Sequence, residues 1–281
     1  ARLGVGVRVV KGDQTGYGFT EDLAPEALRE CARTAAAIAD GPGRTAPERF
    51  HVEGRLPERY PVRLRWEDVR PEQKLPLLAA LNERAFAADP RVRKANVHFA
   101  DESSAILLAD SRGRLVEDLQ PMTVLSLSVV AEDGGRRESN GYNVAGRAGF
   151  EFYTPERLDR VVREAVARTL VLFDAVPAPA GEMPVVLAAG SSGILLHEAI
   201  GHGMEADFNR KGVSIYADKI GRRIAQPFVN IVDDAANPGA RGAINVDDEG
   251  NAAGRTVLVE NGILASYLHD SISARHYKVK P

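Results

Sequence analysis

ANVHFA (95–100), SAILLAD (104–110), GRLVEDL (113–119) and TVLSLSVVAE (123–132) are short runs of alternating apolar and polar residues. DSRG (110–113) and DGG (133–135) punctuate them with turn residues. Period-two alternation rich in Val and Leu places one face on a core and the other in water, so Ala95–Tyr153 reads as an antiparallel meander. Its last part, RRESNGYNVAGRAG (136–149), carries three Gly and reads as a surface loop. On either side the period lengthens to that of a helix. Pro71–Ala88 is predicted as one helix and Pro155–Ala175 as another, the second with Arg160, Arg163 and Arg168 on a solvated face. Further out, Arg2–Val10, the turn Lys11–Thr15 and Gly16–Thr20 read as a hairpin. The abrupt strand start predicts a strand that precedes this chain. Ala24–Ala39 reads as an amphipathic helix with Pro in its first turn and Cys31 as a small buried hydrophobe. Residues 40–60, rich in Gly, Pro and charge, read as a loop. The expected class is α+β: an N-terminal antiparallel sheet with amphipathic helices, then a β-rich C-terminal domain.

Composition narrows the function. The 281 residues are 44% hydrophobic and 27% charged, which suits an ordinary globular chain long enough for a large core. With 36 Lys+Arg against 39 Asp+Glu the net charge is -3, so neither a nucleic-acid footprint nor a polybasic membrane anchor is expected. No apolar run approaches the roughly 18 residues that span a bilayer. One cysteine excludes an intrachain disulfide framework and an all-cysteine metal site from this chain alone.

VPAPAGEM (176–183) breaks the helical pattern and reads as a linker between domains 1–175 and 184–281. PVVLAA (184–189) after it reads as a buried strand. The Gly190–Gly193 turn (GSSG) then opens a helix. Its spacing fits no nucleotide-binding loop, and it reads as an N-cap with a tight turn. The helix carries His197-Glu198-Ala199-Ile200-Gly201-His202, an H-E-x-x-x-H pattern one residue longer than the H-E-x-x-H of zinc peptidases. In an ideal α-helix residues i and i+5 lie about 140° apart, so both rings could not reach one metal. A π-type turn would absorb the extra residue, or the helix could unwind at Gly201 or Gly203. With the rings converging, His197 and His202 are candidate zinc ligands and Glu198 a candidate general base. A catalytic zinc usually has three protein ligands. Glu205, Asp207, His269 and His276 are the candidates for the third. Asp233-Asp234 and Asp247-Asp248-Glu249 fit no calcium loop and read as hairpin turns, and Glu260-Asn261-Gly262 is a strong hairpin signal.

HEAIGHGMEADFNRKG (197–212), with DDEG (247–250), ENGILASYL (260–268), the opening LGVGVRVVKGDQTGYGFT and APAGEMPVVLAAG (178–190), resembles the TldD/PmbA family. The likeness covers nearly the whole chain and lies closest to the members that carry the metal motif. It implies a cytoplasmic zinc-dependent peptidase that cleaves extended or unfolded peptides, including leader peptides of modified peptides. It also implies a dimer with a TldE-like or identical second subunit, with substrate held by strand addition. By position it makes His197 and His202 zinc ligands and Glu198 the catalytic base. The family's third ligand is a cysteine in a distal part, which this chain lacks, and Cys31 lies in the wrong region to replace it. On this resemblance the chain is expected to be truncated at both ends. A different reading, motivated by that missing part, is a catalytically silent peptide-binding or scaffold subunit without a complete metal site.

Overall fold

The computed structural model describes residues 3–40, 49–52, 56 and 58–281. Strands β1 (Val5–Lys11) and β2 (Gln14–Thr20) form a hairpin in register Lys11↔Gln14. Helix α1 (Pro25–Ile38) packs on it and buries Cys31 and Ala35, so Cys31 is the buried hydrophobe expected. The predicted loop at 40–60 falls largely outside the described residues. Within it, β3 (His51–Val52) runs parallel to Arg114–Leu115. Helix α2 (Pro71–Ala88) has the predicted bounds.

The four runs of the meander fuse into two long strands, β4 (Val92–Ala109) and β5 (Arg114–Asp133), paired along nearly their whole length. The segment predicted as a loop is instead β6 (Arg136–Gly146), paired with β5 from Thr123↔Gly146 to Asp133↔Arg136. Its Gly and Asn content argues against a strand, but β5 offers a complete row of backbone partners, and pairing outweighs local propensity. On β5 the alternate residues Leu125, Leu127, Val129 and Ala131 are all buried. Helices α2 and α3 (Pro155–Leu170) cover that face, with Leu81, Ala85, Val161 and Ala165 in the shared core. Thr154 caps α3 by accepting from Arg157 N–H. The helix stops at Leu170 in a 3₁₀ turn (Val171–Asp174), short of the expected Ala175. Arg160 and Arg168 do not only face solvent: their guanidinium groups lie 5.6 and 4.7 Å from the Tyr142 ring.

The C-terminal part rests on the long sheet through a buried polar hub. Asp118 on β5 accepts from Asn245 Nδ2 (2.9 Å), Gln120 Nε2 (2.8 Å) and the Tyr60 hydroxyl. Arg59 donates to the carbonyl of Ala253, and Arg114 to those of Glu249 and Gly250. Beyond the hub, α4 (Ser192–Leu196) and α5 (Ala206–Arg210) flank the H-E-x-x-x-H segment. A small antiparallel sheet follows, in the order β7 (Ile231–Asp234), β8 (Arg255–Glu260), β9 (Ile263–Leu264), and helix α6 (Ser271–Tyr277) follows it. The β8–β9 turn is the Asn261-Gly262 pair, with φ of 50° and 78°, the two left-handed positions that an Asn-Gly hairpin supplies.

The predicted buried strand at 184–189 is not found. The segment has no regular structure, and Val185, Val186 and Leu187 are 71%, 96% and 59% exposed. A strand needs a neighbour to satisfy its backbone, and none lies beside this run among the described residues.

Candidate metal centre

After the turn at Gly190–Gly193, α4 begins without a side-chain cap at Ser191. The neighbouring Ser192 hydroxyl donates back to the carbonyl of Ala188. From His197 to Gly201 the backbone widens into a π-turn, and His202 N–H donates to the carbonyl of His197, five residues back. A 3₁₀ turn follows (His202–Met204), and the chain leaves helical geometry at Glu205, with φ −65° and ψ 128°. The extra residue between the histidines is thus taken up by the wider turn. Gly201 keeps ordinary helical angles, φ −56° and ψ −52°, so unwinding at glycine is not the device used.

The consequence is convergence. The rings of His197 and His202 are 4.5 Å apart between centroids and inclined at 67°. His202 Nε2 is 3.7 Å from Glu198 Oε2. One donor atom from each of His197, Glu198 and His202 lies within 4.8 Å of the others, and all three residues are exposed. Two converging imidazoles are donors of the kind zinc takes, with a carboxylate beside them. The residues present therefore fit a metal.

The site is held from its C-terminal side. Met204 and Ala206 are fully buried in a second core with Leu258, Val259, Leu264 and Tyr267. Leu268 N–H donates to the Met204 carbonyl and Ala206 N–H to that of Leu268, at 2.9 and 2.8 Å. Asn209, also buried, donates from Nδ2 to the carbonyls of Gly203 (2.9 Å) and Glu205 (2.7 Å). Ser214 adds a second donor to the Gly203 carbonyl, at 2.5 Å. On the other side nothing comparable exists among the described residues: Ile194, Leu195 and Leu196 are 65%, 54% and 42% exposed.

Of the residues proposed to complete the set, none joins the cluster. Glu205 Oε1 is 2.6 Å from His202 Nδ1, a contact that raises the affinity of the ring for a proton, with Glu198 adding to it. Asp207 pairs with Lys211 at 3.1 Å. His269 stacks against Tyr267 and Tyr277, and its burial lowers its proton affinity. His276 stands against Tyr277. Cys31 is buried in α1. The holding residues Asn209 and Ser214 leave no trace in periodicity, because each clamps backbone across a loop; Asn209 lies inside the HEAIGHGMEADFNRKG stretch and Ser214 just beyond it.

Three family models match the chain in order. They are PmbA/TldA metallopeptidase domain 1 over residues 2–39, the central domain over 64–173 and the C-terminal domain over 180–281. Among curated proteins, a Metalloprotease TldD homolog of Haemophilus influenzae is 38% identical over 280 residues, covering 97% of this chain and 58% of that protein. A Metalloprotease of Methanothermobacter thermautotrophicus is 30% identical, covering 99% of this chain and 60% of its own length. The chain therefore spans about three fifths of the relatives it matches. Among solved structures, a Thermotoga maritima protein described as a candidate modulator of a DNA gyrase superposes with a TM-score of 0.78 at 24% identity, covering 99% of this chain and 62% of that one. TldE from Thermococcus kodakarensis gives 0.71 at 20%, covering 97% and 61%. At these identities the structural likeness shows a shared fold.

Proposed function

Since the chain belongs to the TldD/PmbA metallopeptidase family, we propose that it carries the metal-binding segment of a zinc-dependent peptidase. Its substrates are the peptide bonds of extended or unfolded peptides, leader peptides of modified peptides among them. His197 and His202 hold the metal through their imidazoles. Zinc, when bound, supplies Lewis acidity toward a peptide carbonyl and a water molecule. Glu198 takes the proton of the attacking water and delivers it to the leaving amine, which places general base and general acid in one carboxylate. Its adjacency to the first ligand and its 3.7 Å approach to His202 Nε2 support that role. Substrate lies extended and adds as a strand. The outer edge of β7, in the sheet that anchors the site, has no partner strand among the described residues and supports this. The proposal includes a TldE-like or identical second subunit, a cytoplasmic location, and a domain division at residues 176–183. No described helix is long and apolar enough to cross a membrane.

The observation that carries the reading is the π-turn that brings His197 and His202 to 4.5 Å. Glu198→Gln tests it, with cleavage of a fluorogenic unstructured peptide and zinc content measured together. Expected is loss of cleavage with zinc retained, and zinc lost along with cleavage would make Glu198 a ligand and not the base. A second reading, a catalytically silent peptide-binding or scaffold subunit, draws on the absence of a third His or Cys from the cluster among the described residues. It requires peptide binding with a zinc stoichiometry near zero.

A further inference from the structure

His202 has two ring nitrogens, and each has a different neighbour. Nδ1 lies 2.6 Å from Glu205 Oε1, and Nε2 lies 3.7 Å from Glu198 Oε2. An ionised carboxylate only accepts, so the Nδ1 contact requires the proton of the neutral ring to sit on Nδ1. That leaves the Nε2 lone pair available on the side of Glu198.

Glu205 is placed for this by backbone that cannot easily shift. It is the residue at which the 3₁₀ turn ends, its N–H donating to the His202 carbonyl at 3.3 Å. Its own carbonyl accepts from Asn209, it forms a parallel bridge with Leu268, and its neighbours Met204 and Ala206 are fully buried. A free surface pair of this exposure, 50% for His202 and 38% for Glu205, would do little. A carboxylate anchored in this way instead selects one tautomer and one ring orientation.

We propose that Glu205 is a positioning residue of the metal centre: it holds His202 as the Nδ1–H tautomer, with Nε2 presented to the ion, and is not itself a ligand. This rests on the metallopeptidase reading for its purpose. The contact itself needs no metal. A carboxylate behind a ligating imidazole both orients the ring and strengthens it as a donor, and removing one costs roughly 10–100-fold in metal affinity.

The test uses the whole chain with zinc alone as probe, by competition against a chromophoric chelator, and nitrogen-15 chemical shifts of the His202 ring in the metal-free protein at pH 9. Expected for the wild type is the Nδ1–H tautomer before any metal is added. Glu205→Ala should release the ring to the Nε2–H form that free imidazole prefers and lower zinc affinity about 10–100-fold. Glu205→Gln, whose amide oxygen still accepts from Nδ1, should fall less. Asp159→Asn, on the far helix α3, is the control for unspecific loss. The proposal is overturned by an Nε2–H ring in the wild type, or by unchanged zinc affinity in Glu205→Ala. Complete loss of zinc in both Glu205 variants would also overturn it, since that marks a ligand. Should the wild type bind no zinc, the peptidase reading fails, and the ring tautomer alone decides the role of Glu205.

Discussion

Glu249 shows how much one carboxylate can join. Its Oε2 accepts from Ser271 N–H and Oγ–H at 2.8 and 2.5 Å, and its Oε1 from Arg8 Nη1 at 2.6 Å, so it ties the first hairpin to helix α6. Burial pushes its proton affinity up, but the Ser271 and Arg8 hydrogen bonds outweigh that and hold the group below its ordinary 4.5. The sign follows from linkage. The unfolded chain takes up the proton at the ordinary value and the folded chain only at a lower one. The stabilisation is therefore complete above pH 4.5 and vanishes as pH falls through the depressed value. Glu249→Gln should cost about 1–2 kcal/mol at neutral pH by denaturant titration. The gap from wild type should close as pH drops below that point, and a gap that stays constant with pH would contradict this. The turn at Asp247–Gly250 was legible from its own residues, since Gly250 N–H closes on the Asp247 carbonyl at 3.0 Å. The tie to Arg8 was not, because a partner 241 positions away leaves no local trace.

At the scale of the element, the metal segment depends on a local departure from α-geometry. H-E-x-x-x-H spacing demanded a distortion, and two were open: a π-turn, or unwinding at a glycine. The structure uses the π-turn. Gly203 serves another purpose, close approach: a Cβ there would stand 2.9 Å from Tyr216 Cε2. Tyr216 is itself held, with its N–H on Ser214 Oγ and its carbonyl accepting from Tyr267. A Cβ on Gly201 would meet nothing nearer than 3.7 Å, at His197 Nδ1. Gly203→Ala should therefore destabilise by about 1–3 kcal/mol through overpacking and weaken zinc binding. Gly201→Ala should be neutral or stabilise by up to about 1 kcal/mol, with zinc affinity kept. Denaturant midpoints and zinc titrations of the two variants check this, and the reverse ranking would refute it. Helix α2 and the Asn-Gly hairpin were legible because their signals are local: Pro and apolar period in one, two left-handed positions in the other. Strand β6 was hidden by its Gly and Asn residues, and PVVLAA was misread because an apolar run says nothing about whether a partner strand is present.

For the whole molecule, the two ends of the metal segment stand in contrast. Its C-terminal end is built into the core around Met204 and Tyr267. Its N-terminal end, from Val185 to Leu196, presents apolar side chains to solvent. The α+β class and the motif were readable from pattern and spacing. The route by which Asn245 and Asp118 join the C-terminal part to the long sheet was not, because buried polar hubs have no sequence period. The proposed activity depends on His197 and His202 sharing one ion. The most direct measurement is a zinc titration of the purified chain with X-ray absorption at the zinc edge, repeated on His197→Ala and His202→Ala. One bound zinc per chain is expected, with imidazole nitrogens in its coordination sphere, lost in either variant. A stoichiometry near zero, or a bound zinc that both substitutions leave untouched, would contradict it.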